Sequence, residues 1–114
     1  HRESLLFLGL SQLYWLKKIN AIGLLGVLNK EFHHPTIILF GSLAKGETKS
    51  DSDVDLALIG SLSKDINLSD FEKKLKRKIH LLVFESWPSI KNKNLLHNIL
   101  EGKLISGRLH YGLE

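Results

Sequence analysis

The sequence predicts an α+β fold, a small mixed β-sheet with helices packed against it. Residues 36–40 (TIILF), 53–59 (DVDLALI) and 79–84 (IHLLVF) are short apolar runs rich in β-branched or long aliphatic side chains, as buried strands are. The stretches around them repeat apolar residues at helical spacing. Taken together the elements run α(α)βαβαβα, which favours strands covered by amphipathic helices.

The first element is a helix over residues 3–18, where Leu5, Leu6, Leu8, Leu13, Leu16 and Ile19 approximate a 3.6-residue period. A second helix, or a continuation, covers 20–33. Asn20 is its candidate N-cap, Ile22, Leu25, Leu28 and Phe32 form its apolar face, and Pro35 ends it. The strand at 36–40 stops at Gly41, and residues 41–52 read as a polar loop with one helical turn after Ser42. The strand at 53–59 carries its acids only at the start. Asn67-Leu68-Ser69-Asp70 opens the next helix, with Leu68, Phe71, Leu75 and Ile79 spaced three, four and four on one face. After the strand at 79–84, Trp87-Pro88 is a loop with Pro88 near a helix start. That helix covers 89–101 and closes at Gly102 as its C′ residue. Residues 103–105 add a short terminal strand. The chain divides into an N-terminal helical segment, 1–34, and a core, 35–114, within one compact domain. Residues 1–19 are expected to lie outside the compact core.

The chain has 114 residues, with 43% apolar and 25% charged residues. These values suit one folded domain and exclude extensive disorder. Cysteine is absent, which rules out a disulfide scaffold and thiolate metal sites and fits a reducing, cytoplasmic location. The apolar stretch at 19–28 is too short to span a membrane. A net charge of +4 favours a polyanionic partner such as a nucleotide or RNA. The chain starts at His1 rather than Met, compatible with an upstream segment.

Two motifs carry chemistry. The first is Gly41-Ser42-Leu43-Ala44-Lys45-Gly46, directly after a strand. Gly41 lets the backbone approach a bulky anion, Ser42 offers a hydroxyl, the following amides open a turn that attracts phosphate, and Lys45 adds charge. The second is Ser52-Asp53-Val54-Asp55-Leu56. On a strand, Asp53 and Asp55 project to the same side. Like charges side by side repel, and hard divalent cations compensate them well. Each motif alone also suits an ordinary turn or a solvated strand edge. Together they sit on consecutive strands and can meet at one edge of the sheet, with ten residues between Ser42 and Asp53.

The pair resembles the Gly-Ser…Asp-x-Asp signature of the DNA polymerase beta-like nucleotidyltransferase superfamily. GSLAKGETKSDSDVDLALI looks most like the minimal nucleotidyltransferases of archaea and bacteria, and ILEGKLISG is similar to the end of many archaeal members. The resemblance runs from about residue 35 to residue 112. It implies a polymerase beta palm-like fold. It further implies that Asp53 and Asp55 bind Mg2+ or Mn2+, and that Gly41, Ser42, Lys45, Gly46 and Ser52 contact ATP or another nucleoside triphosphate. A nucleoside monophosphate, most simply AMP from ATP, passes to a protein, RNA or small-molecule acceptor. Many members place a third carboxylate on the next strand, where this chain has His80. By alternation His80 can face the site, as a base or as a ligand for softer metals, or it simply packs on a sheet face. Glu85 has the opposite parity. The departure makes a second reading relevant: a catalytically weak or inactive nucleotide-binding module, antitoxin-like, partnered with a HEPN-type protein.

The remaining features are less specific. Lys73, Lys74, Lys76, Arg77 and Lys78 form a basic cluster with Asp70–Lys74 and Glu72–Lys76 at i,i+4 spacing, an ordinary solvated helix face or a platform for RNA. His33-His34 lacks a third ligand nearby. Tyr14, Trp15 and Trp87 read as core or interface aromatics before base-stacking ones. The leucines of residues 5–10 exceed what one small core takes, so a partner or a second copy is expected there.

Overall fold

The computed structural model describes residues 2–45 and 52–107, with side chains from residue 9 onward. Its order is α1 (Arg2–Ala21), α2 (Leu24–Glu31), β1 (Thr36–Phe40), β2 (Val54–Ile59), α3 (Ser69–Leu75), β3 (Ile79–Phe84), a 3-10 turn (Trp87–Ser89), α4 (Lys93–Leu100) and β4 (Lys103–Ser106). The strands form one mixed sheet in the order β3-β2-β1-β4. β1 is antiparallel to both β2 and β4, whereas β2 and β3 are parallel. The class is α+β. Among the described residues, no helix is long and apolar enough to cross a membrane.

Strand alternation sorts the sheet's side chains into two cores. Ile37, Leu39, Val54, Leu56 and Leu58 pack with Trp15, Ile19, Leu24, Leu28, Phe32 and Leu75 of the first three helices. On the other face, Ile38, Phe40, Ala57 and Ile59 pack with Ile90, just after the 3-10 turn, and Ile99 of α4. Trp15 and Ile19 are thus buried, which corrects the expectation that residues 1–19 lie outside the core. The same helix leaves Leu10, Leu13 and Tyr14 exposed. Residues 5–8, also named for a partner surface, lie outside the described side chains.

Helix ends differ from expectation at three places, each for a local reason. α1 runs on to Ala21, and α2 starts after Gly23 rather than Asn20, because Gly23 takes the left-handed φ of 85° that turns the chain between them. The third helix is shorter than its apolar spacing implies. Lys76 adopts φ 56° and ends it, so Ile79 begins β3 instead. α4 starts at Asn92, whose side chain accepts the N–H groups of Asn94 and Leu95 at 3.0 and 3.1 Å. Pro88 lies in the separate 3-10 turn.

Gly102 follows α4 but is not a left-handed cap, since its φ is not positive. It is there for space. A Cβ at this position would lie 2.5 Å from the Leu39 carbonyl and 2.8 Å from Ile38 Cγ2, where the chain crosses onto β1 to begin β4. Gly102→Ala is therefore expected to destabilise the fold by about 1–3 kcal/mol, as overpacking against backbone does. Urea titration of both proteins tests this, and an unchanged midpoint would refute the close-approach account.

Candidate active site

The C-terminal end of β1 and the N-terminal ends of β2 and β3 meet at one edge of the molecule. Register brings the residues together there: Phe40 pairs with Asp55 across β1 and β2, and Asp55 pairs with His80 across β2 and β3. Asp55 is thus flanked by the turn after β1 on one side and by His80 on the other. By alternation with Ala57 and Ile59, it points to the α4 face of the sheet.

Gly41 has φ 74°, and a Cβ there would collide with Asp55 Oδ2. Only glycine lets the turn sit this close to the carboxylate. The turn itself is helical, with the Lys45 N–H shared between the Gly41 and Ser42 carbonyls at 3.2 and 3.1 Å. Leu43 and Ala44 are buried in the core beneath it. That anchors the turn from inside, leaving Ser42 half-buried and Lys45 exposed. Gly46 lies outside the described residues.

His80 Nδ1 is 3.3 Å from Asp55 Oδ1, with the imidazole 60% exposed and the carboxylate 21%. The alternation argument for His80 therefore holds. Burial raises the Asp55 carboxyl above its ordinary 3.8; the His80 hydrogen bond and charge pull it back, and Asp53 adds a smaller upward push. Asp53 itself is exposed just ahead of β2. It lines a cleft of about 640 Å³ with Ser69, Glu72, Lys73, Lys76, Arg77 and Lys78. Glu85 follows the far end of β3 and does not reach the site. Among the described residues, no set of three or more His, Asp or Glu side chains converges on a metal position.

Three supporting residues carry no local sequence signal for their roles. Gln12 Nε2 donates to the Ala44 carbonyl at 2.8 Å, tying α1 to the turn. Arg77 Nη1 donates to the Ser52 carbonyl at 2.8 Å while its guanidinium stacks 4.8 Å from the Trp15 ring. Arg77 is therefore half-buried structure rather than part of a free basic face. Glu72 Oε2 accepts the Ile79 N–H at 2.7 Å, so it caps the start of β3 instead of pairing with Lys76.

The family model described as Polymerase beta, Nucleotidyltransferase matches residues 24–110. The chain belongs to this family. The matched span takes in the Gly41 turn, both aspartates, His80 and all four strands of the nucleotidyltransferase domain, and it begins at α2. No curated protein matches the chain.

The Asp55 shift has a measurable consequence. The folded carboxyl keeps its proton to higher pH than the unfolded one, so between the two values the native state binds more protons. Stability therefore falls as pH rises from 3.8 through the folded value, and the penalty is fully present at neutral pH. Asp55→Asn removes the charge. It is expected to melt at a higher temperature than the native chain at neutral pH, by a margin that shrinks as the pH drops below 3.8. A lower melting temperature for Asp55→Asn at neutral pH would show that the carboxylate's burial is already compensated.

Proposed function

We propose that this nucleotidyltransferase moves a nucleoside monophosphate, most simply AMP from ATP, onto a hydroxyl of a protein, RNA or small molecule. One observation carries the reading: a half-buried carboxylate, Asp55, held directly under a turn whose Gly41 has no room for a side chain. A partly buried carboxylate with a perturbed pKa, beside a turn able to receive phosphate, suits a site for a metal-bound triphosphate.

The donor set fits a divalent cation in part. Asp55 carries a burial cost that His80 offsets only in part and a cation would relieve further, and Asp53 adds a second carboxylate at the same strand entrance. Further oxygens would come from the triphosphate itself. Asp53 and Asp55 are the residues proposed to hold Mg2+ or Mn2+, which when bound neutralises charge on the transferring phosphoryl group. The residues of the turn bind and orient the triphosphate: Gly41 by close backbone approach, Ser42 by its hydroxyl, Lys45 by charge. The Arg77 tie on the Ser52 carbonyl holds the approach to Asp53 in place.

His80 favours a second reading. Its imidazole occupies one oxygen of Asp55 at the position where the resemblance implies a third carboxylate. With one negative charge fewer, the site binds nucleotide but turns it over weakly, as a regulatory, antitoxin-like partner of a HEPN-type protein would.

Incubation with labelled triphosphates, Mg2+ or Mn2+ and candidate acceptors separates the two. The transferase reading expects label transfer by the native chain, faster with Mn2+ because that ion tolerates imidazole. Transfer is lost in Asp55→Asn and in Gly41→Val, each shown to be folded by circular dichroism. His80→Asp should raise turnover with Mg2+ by about 100-fold if a missing acid limits the reaction. Nucleotide binding with no transfer under any condition would select the regulatory reading. Brisk Mg2+-dependent transfer that drops in His80→Asp would instead make the imidazole a working group.

A further inference from the structure

The two edges of the sheet are built differently. The order β3-β2-β1-β4 makes them β3 and β4. Free backbone groups on an edge recruit another strand, and folded proteins guard against this with short strands, lysine, proline or bulges. β4 is guarded: it has four residues, starts at Lys103, and its register on β1 shifts between Ile37 and Ile38. β3 has none of these devices. It runs for six residues in continuous register with β2, contains no lysine, acid or proline, and none of its five apolar side chains is fully buried.

The backbone groups left over on β3 can be assigned. The Val54 and Gly60 N–H groups donate to the carbonyls of Lys78 and Phe84, each at 2.8 Å. Even-numbered residues of β3 therefore bond β2, and odd-numbered ones point outward. Glu72 takes the outward N–H of Ile79. Among the described residues, no hydrogen bond engages the outward groups of Leu81 and Val83. Their side chains line a groove of about 470 Å³ with Ile79, Glu72 and residues 63–69.

We propose that two copies of this chain join through β3, antiparallel about a two-fold axis, into one continuous sheet. A second copy is the occupant because the edge is complementary to itself. β3 is entered through Arg77-Lys78 and left through Glu85, so an antiparallel copy sets the basic end of one strand beside the acidic end of the other. A parallel strand of the same sequence would set like charges together. A register centred on Leu82 pairs Leu81 with Val83 of the second copy, and Val83 with its Leu81. Each pair exchanges two hydrogen bonds, and Glu72 keeps the Ile79 N–H. Both pairs project toward the grooves, and Leu82 meets its own copy on the opposite face. In this register Phe84 of the second copy lies opposite His80, on the side away from Asp55, so assembly covers an imidazole that is 60% exposed. The pairing is made by backbone groups and holds whether or not nucleotide is transferred.

Sedimentation of the whole chain across a concentration series tests this. The native chain should pass from the mass of one chain to that of two. Val83→Pro removes an outward N–H and none that bonds β2, a change that edge strands accept. It should stay monomeric with an unchanged circular dichroism spectrum. Leu104→Lys on β4 and Leu10→Glu/Leu13→Glu on the exposed face of α1 should dimerise as the native chain does. Amide hydrogen exchange of the native chain needs no variant: Leu81 and Val83 should be protected at high concentration and lose that protection on dilution, while Leu82 keeps it. A native chain that is monomeric at every concentration would overturn the proposal and leave the edge to a strand of another protein. Protection of Leu81 and Val83 in a monomer would overturn it in favour of a segment of the same chain. A dimer that persists in folded Val83→Pro, or that dissociates in Leu10→Glu/Leu13→Glu, would place the interface elsewhere and overturn it too.

Discussion

Asp55 is a partly buried carboxylate wedged against the turn at Gly41, and that close approach constrains the residues around it. Its neighbours come from three strands at once: Gly41 after β1, Asp53 ahead of β2, and His80 at the start of β3. A side chain at residue 41 would collide with the carboxylate. Moving the strand instead would shift Leu56 and Leu58 out of the larger core, since a one-residue slip exchanges the two faces of a strand. The site thus inherits its geometry from core packing, and the turn has to be glycine to accept it.

The first helix contributes to the same edge from a distance. One of its faces is inserted in the core through Trp15 and Ile19. From that anchored position Gln12 ties the turn after β1, while Trp15 supports the arginine that ties the approach to β2. In the chain, these two tethers fall on either side of residues 46–51, between the turn after β1 and the two aspartates. Residues 2–23 lie outside the span matched by the family model, so this bracing is supplied by a part of the chain additional to that span.

Local signals in the sequence carried most of the secondary structure. The strands at 36–40 and 79–84 have the bounds their apolar runs suggest, and β2 begins one residue later than its run. A β-branched run ending at glycine or at a polar turn leaves the chain few alternatives. Helix ends were less legible, because competing caps lie close together. Asn92 outcompetes Pro88 as a helix start by accepting two backbone N–H groups, and left-handed Lys76 stops α3 although the apolar spacing continues. The parallel pairing of β2 with β3 is a tertiary choice, yet alternation alone sufficed to turn His80 toward the acids. The tethers by Gln12 and Arg77 join residues far apart in the chain, and no spacing rule anticipates them. Glu72 misled for a related reason: i,i+4 spacing describes an isolated helix, and the unpaired amide of Ile79 is a stronger attraction for its carboxylate than a solvated lysine.

His80 stands at a strand position whose side chain is more than half in water. Substitutions at such positions usually change stability little. The core packing therefore does not depend on residue 80, although an acid there would lose the imidazole's contact with Asp55 and set a like charge beside it, whereas residues 41 and 55 are bound by sterics and burial. An exchange at residue 80 would thus alter the charge beside Asp55 while leaving both packed faces of the sheet as they are.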